Sequence, residues 1–113
     1  MKAPRIAALL GGGLATGVAL AVAPVAVAGG GITAEREVEL ERLVRQDCGS
    51  CHGMRLKGGL GPAIDAEALA GRDARTIAAI ILDGIPGTPM PPWRPLISEE
   101  EAEWIADYLL RAE

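Results

Sequence analysis

The chain has no phenylalanine among its 113 residues, and its only aromatic rings outside histidine are Trp93, Trp104 and Tyr108. A core so poor in large aromatics is marginal for a small domain unless something else staples it. Histidine occurs once, at position 52, and cysteine twice, at 48 and 51. A tetrahedral zinc site needs about four ligands, so this chain could not complete an N/S set without carboxylates or a second chain. No run of residues alternates apolar and polar, so no strand is expected, and a thioredoxin-like dithiol in a βαβ frame lacks its context. Lysine and arginine are outnumbered, 11 against 15 acidic residues, for a net charge of −4. The basic residues do not cluster, which argues against a nucleic-acid-binding surface. The acidic balance suits either simple solubility or a partner with a basic docking patch.

What is present is concentrated in Cys48-Gly49-Ser50-Cys51-His52. Two cysteines three apart, with histidine directly after the second, form the attachment pattern of a c-type haem. On a helix, positions 48, 51 and 52 fall on one face, because residues three and four apart are neighbours. Two thiols can then reach the two vinyl groups on one porphyrin edge while the imidazole comes under the iron. The competing readings are a redox dithiol or part of a zinc site. A covalently held porphyrin would also be the missing staple and the missing aromatic bulk.

The first 28 residues read as a secretory signal. Lys2 and Arg5 supply a positive start, residues 6–23 carry no charge, Pro24 breaks a helix, and Ala26-Val27-Ala28 fits a cleavage site. The expected mature chain is 29–113, with 9 basic and 15 acidic residues and a net charge of −6. The alternative is a retained anchor, since the apolar run approaches the length that spans a bilayer. Export is consistent with the motif, because bacteria couple haem to CxxCH outside the cytoplasm. That points to a periplasmic protein without stable membrane association once the signal is removed.

The remainder is helical punctuated by loops. Residues 34–46 carry Leu40, Leu43 and Val44 at i, i+3 and i+4, and the stripe continues through Asp47, Cys48 and Cys51. The charges of this segment, from Glu35 to Arg42, read as a solvated face. Residues 53–62 form a glycine-rich loop that allows a close backbone approach. There the Pro62 carbonyl is a candidate acceptor for the second nitrogen of His52, or simply part of a turn. Residues 66–70 suggest one short helical turn. Asp73 is a plausible N-cap for a helix to about Leu82, with Ile77, Ile80 and Ile81 inward and Gly84 as its stop.

Residues 85–95 hold five of the chain's eight prolines, with Met90 among them. Proline fixes φ and restricts the residue before it, so the segment is stiff. Met90 is the candidate second axial ligand by elimination. His52 is the only histidine, Met1 lies in the signal, Met54 is too near His52 to reach the other side of a ring, and Lys57 is a weaker candidate. Trp93 packs either beside the haem edge or in the ordinary core. Ser98 to Glu101 matches a capping box at the head of the last helix. Its Ile105, Tyr108 and Leu109 face is expected to pack on the first helix.

These features together resemble the class I cytochromes c: the CxxCH, Gly61-Pro62, Met90-Pro91-Pro92, and a last helix with Tyr108-Leu109. The resemblance covers nearly all of residues 29–113. It implies an all-α fold, a small helical domain wrapped around one covalent haem c, with His52 and Met90 as axial ligands and the Pro62 carbonyl holding His52. More narrowly, Gln46 to Gly53, Gly58 to Pro62 and Gly87 to Trp93 look like the small periplasmic cytochromes encoded with the haem cd nitrite reductase of denitrifying bacteria. That likeness implies a non-enzymatic electron carrier, with the nitrite reductase and an upstream electron donor as redox partners. An accessory part in haem d biosynthesis or nitrite reductase maturation is the alternative. A haem enzyme with an open iron position is a third reading, for which no distal acid–base residue is evident.

Overall fold

The computed structural model describes residues 11–14, 17–23 and 30–113. The proposed cleavage motif at 26–28 lies outside the described residues. Among the described residues the secondary structure is entirely helical, as expected for an all-α fold.

Helix α1 (Ala34–Leu43) starts at Thr33, whose hydroxyl accepts from the Arg36 N–H at 3.2 Å. It runs without a break into a wide π turn (Val44–Cys48) and then a last short helix, α2 (Gly49–His52), which Gly53 ends at φ 91°. The π turn changes the expected periodicity. The buried positions are Leu40, Val44 and Gly49, spaced by four and then five, where a regular α-helix would have continued at four. Asp47 and Cys51, expected on the buried stripe, therefore face solvent, and Cys48 is half-buried at its margin.

Helix α3 (Ala74–Asp83) is capped by Asp73, whose carboxylate accepts from the Thr76 N–H at 3.0 Å. Its buried face comprises Ile77, Ala78, Ile81 and Leu82, and Ile80 lies at the exposed margin rather than inward. Helix α4 (Glu99–Leu109) begins in a reciprocal box: Ser98 Oγ accepts from the Glu101 N–H, and the Glu101 carboxylate accepts from the Ser98 N–H. Its Ala102, Ile105, Ala106 and Leu109 are buried. The small residues Ala78, Ala102 and Ala106 let α3 and α4 approach closely, and α4 packs most extensively on α3 rather than on α1. Residues 66–70 form turns without becoming a helix.

The α1–α4 seam is held by polar groups that periodicity assigned to solvent. The Trp104 indole N–H donates to Glu37 at 2.9 Å, and the Tyr108 hydroxyl donates to Glu41 at 3.2 Å. Arg36 binds Glu101 across the same seam, which holds the Glu101 carboxyl below the usual carboxylate range. The acidic face of α1 is thus partly an interhelical acceptor surface. The core beneath it is anchored by Leu40, Val44 and Ile105, the largest fully buried side chains. Burying each contributes about 1.5–3 kcal/mol.

Candidate haem-attachment site

The site grows from the end of the α1–α2 helical path. Val44 is fixed in the core, and the π turn that follows sets the direction in which residues 48–52 leave it. Neither Cys48 nor Cys51 is joined in a disulfide; the first is half-buried and the second exposed. Burial pushes the Cys48 thiol up to about 11, with the neighbouring Asp47 charge adding to the effect. Ser50 Oγ donates to the Asp47 carbonyl at 2.7 Å, which tightens the turn between the two cysteines.

The glycine-rich loop then folds back onto this turn. The Gly58 N–H donates to the His52 carbonyl at 2.8 Å and the Gly61 N–H to the Cys51 carbonyl at 2.7 Å. These bonds bring residue 61 against the imidazole. A Cβ at Gly61 would lie only 2.8 Å from both Cε1 and Nδ1 of His52, so only glycine leaves the ring in place. His52 Nδ1 lies 2.7 Å from the Pro62 carbonyl oxygen and donates to it. A carbonyl can only accept, so the N–H is on Nδ1 and Nε2 keeps its lone pair for a metal.

Two features lock that loop, and neither was visible in the sequence. Leu56 has φ 60°, the only non-glycine positive φ among the described residues, and its side chain is buried. The Leu56 N–H donates to the Gly53 carbonyl and its own carbonyl accepts from the Ile64 N–H, so the strained residue is fixed on both sides. Asp65 is 4% exposed and accepts from Lys57 Nζ at 2.7 Å and from the Ala68 N–H at 3.0 Å. Both bonds hold its carboxyl below the ordinary range. Lys57 is thereby committed to Asp65.

Met90, half-buried, sits in the proline-rich segment that follows α3. Its carbonyl accepts from the Ile85 N–H at 3.2 Å, and its N–H donates to Thr88 Oγ1 at 3.3 Å. Trp93 is half-buried and packs against the core, its N–H shared between the Ile81 and Leu82 carbonyls at 3.1 Å.

These residues fit a covalently bound haem. Two unpaired thiols and an imidazole with a free Nε2 come from one short helical stretch. The loop beside that imidazole has no room for a side chain at its closest point. Apolar side chains that the polypeptide leaves uncovered, Leu60 (94% exposed) and Ile85, belong to the segments carrying Gly61 and Met90. Among the described residues no three His, Cys, Asp or Glu side chains come together as an ion cage.

Residues 35–109 match the family model described as cytochrome C oxidase, cbb3-type, subunit III. Cytochrome c55X of Paracoccus denitrificans is 64% identical over 80 residues, covering 71% of this chain and 78% of that protein. The chain belongs to the cytochrome c55X family, within the class I cytochromes c. A solved structure described as c-type cytochrome NirC superposes with a TM-score of 0.67 at 51% identity, covering 69% of this cytochrome and 92% of that chain. A dihydro-heme d1 dehydrogenase of Pseudomonas aeruginosa is 31% identical over 83 residues, 74% of this chain but only 17% of that protein. The cofactor of this cytochrome is haem c, and a single CxxCH provides for one.

Proposed function

We propose that the chain is a periplasmic one-electron carrier of denitrification, accepting electrons from an upstream donor and passing them to haem cd nitrite reductase. Cys48 and Cys51 would hold the haem through thioethers, with His52 Nε2 and Met90 Sδ as the axial ligands. Haem c, when bound, supplies one-electron chemistry at iron, and a His/Met pair favours a raised potential.

The observation that carries this reading is the 2.7 Å bond from His52 Nδ1 to the Pro62 carbonyl. It fixes ring orientation and tautomer and raises the basicity of Nε2, which is what a permanently held axial ligand requires. Met90 is supported by its place in a proline-braced segment whose backbone is held by hydrogen bonds on both sides of the residue, through Ile85 and Thr88. Trp93 would pack beside the ring edge. His52 is the chain's only histidine, so no second imidazole is available as a distal acid or base. Membership of a family of electron carriers and the similarity to NirC favour transfer over catalysis. No helix among the described residues is long and apolar enough to cross a membrane, and export would depend on residues 1–28 as a cleaved signal.

One finding favours a second reading. A domain similar to this chain is part of a dihydro-heme d1 dehydrogenase, so a role in producing haem d, rather than in supplying electrons for nitrite reduction, is the alternative.

The test uses holoprotein recovered from the periplasmic fraction. Its mass should equal residues 29–113 plus one haem, and carbon monoxide should leave the reduced spectrum unchanged. Rapid mixing with haem cd nitrite reductase should then reoxidise the cytochrome fast enough to support turnover. Rapid carbon monoxide binding would overturn the six-coordinate reading. Transfer too slow for turnover, with haem d content falling on gene deletion, would leave the assembly role in its place.

A further inference from the structure

The segment from 85 to 94 is closed on itself near its start and fastened at its end onto the last turn of α3. At one end the Ile85 N–H donates to the Met90 carbonyl at 3.2 Å. At the other, the Trp93 N–H is shared by the Ile81 and Leu82 carbonyls, and the Arg94 N–H donates to the Leu82 carbonyl at 3.1 Å. Carbonyls at a helix C-terminus have no intrahelical donor, so this strap satisfies groups that α3 would otherwise leave open. The Arg94 guanidinium adds two bonds, from Nε and Nη2, to the single Asp83 oxygen Oδ1 and a further bond from Nη1 to Glu99. Inside the strap, Thr88 Oγ1 donates to the Ile85 carbonyl at 2.7 Å and accepts from the Met90 N–H at 3.3 Å.

Gly84 stands where this strap meets the helix. Its backbone lies at φ 65°, ψ −170°, a region that L side chains essentially do not enter. A Cβ there would come within 2.7 Å of the Met90 carbonyl oxygen and 2.8 Å of Pro91 C and Pro92 N. All three contacts are main-chain atoms, and two belong to proline residues, so they cannot turn aside as a flexible side chain would. Gly71 offers the contrast: its φ is 77°, but a Cβ added there would meet nothing within 4 Å.

We propose that Gly84 is the positioning residue for Met90: by letting the 90–92 backbone rest directly on the end of α3, it sets where the Met90 sulfur stands. The inference rests on the reading of Met90 as an axial ligand. It assigns the effect to contact with the strap, so a side chain added at a positive-φ glycine with open space around it does not reproduce it. Thr88 is a secondary support, tying the Met90 N–H to the start of the strap.

The experiment compares holoprotein of the wild type, Met90→Ala, Gly84→Ala, Gly71→Ala and Thr88→Val. Two readouts are used: the weak band near the red end of the oxidised spectrum that reports sulfur ligation, and titration with imidazole as a probe of the sixth position. Met90→Ala should abolish the band. Gly84→Ala should do the same and tighten imidazole binding by on the order of tenfold or more, the scale expected when the displaced sulfur no longer competes for the sixth position. Gly71→Ala should leave both readouts at wild-type values, and Thr88→Val should keep the band while tightening imidazole binding a few-fold. A Gly84→Ala protein with its band intact and imidazole affinity within about twofold of wild type overturns the inference and leaves the ligand assignment standing. A band that survives Met90→Ala sinks the ligand assignment itself, and the inference with it. If Gly84→Ala yields no holoprotein, Thr88→Val decides: unchanged imidazole affinity overturns the proposal, and tighter binding supports it.

Discussion

Replacing Gly61 with alanine should loosen His52 without touching either cysteine. The residue's φ lies outside the left-handed region, so alanine is tolerated by the backbone and the effect is one of contact alone. The added Cβ would sit 2.8 Å from Cε1 and Nδ1 of the imidazole, and ordinary contact begins at 3.4 Å, so the ring must retreat by about 0.6 Å. A bond of 2.7 Å from Nδ1 to the Pro62 carbonyl would stretch to about 3.3 Å, near the limit for a useful hydrogen bond. Losing it removes roughly 0.5–1.5 kcal/mol. Loss of such an outer partner typically weakens a metal–ligand bond by about 10–100-fold. The Pro62 carbonyl itself cannot be deleted by changing its side chain, so Gly61 is the practical handle on this bond. Displacement of the axial imidazole is followed optically as acid is added to the oxidised holoprotein. Gly61→Ala should shift that midpoint upward by about one pH unit or more, and Gly30→Ala, which meets nothing within 4 Å, should not shift it. A Gly61→Ala midpoint equal to wild type would refute the claim that this glycine seats the ring.

Two further outcomes follow from the core and the ion pairs. Leu40→Ala should cost about 2–5 kcal/mol in denaturant unfolding, because Leu40 is fully buried between α1 and the rest of the core; a loss under about 1 kcal/mol would show that the site collapses around the gap. Asp65 and Glu101 both titrate below the ordinary carboxylate range, through Lys57 and Arg36 respectively. Folded carboxyls depressed in this way contribute stability above the unfolded value of about 4, and that contribution is lost as pH falls through the folded values. Urea midpoints measured down the acid limb should therefore fall less steeply for Asp65→Asn and Glu101→Gln than for wild type, and parallel limbs would contradict the assignment.

Local signals in the chain were strong where the chemistry is local. The CxxCH, the Asp73 cap, the Ser98–Glu101 box and the Gly84 stop each lie within a few residues of what they control, and each could be read in order. The π turn at 44–48 was not legible, since no residue type demands it; it follows from fixing Val44 in the core while turning 48–52 outward. Position 80 departs from its periodicity for a related reason. Ile77, Ile80 and Ile81 share a helical stripe, but α4 approaches α3 along its alanine side, so Ala78 and Leu82 are covered and Ile80 is left at the margin. The Lys57–Asp65 pair and the Glu37 and Glu41 acceptors depend on tertiary distance, and a charge on a helix face looks the same whether or not an aromatic donor arrives from elsewhere. Leu56 at positive φ carries no sequence signal, because leucine is not a residue that favours it.

The scarcity of rings gives this molecule an internal reporter. Trp104 and Tyr108 stack at 5.5 Å with planes 16° apart at the seam between α4 and α1, and Trp93 alone sits on the strap. With no phenylalanine in the chain, the aromatic side chains report from two places only, and the haem, which quenches indole emission in the folded state, makes the departure of either tryptophan from it visible as a rise in emission. Substituting either tryptophan isolates the signal of the other. Separation of the terminal helices and detachment of the methionine segment can then be timed independently in one unfolding experiment, with no label added.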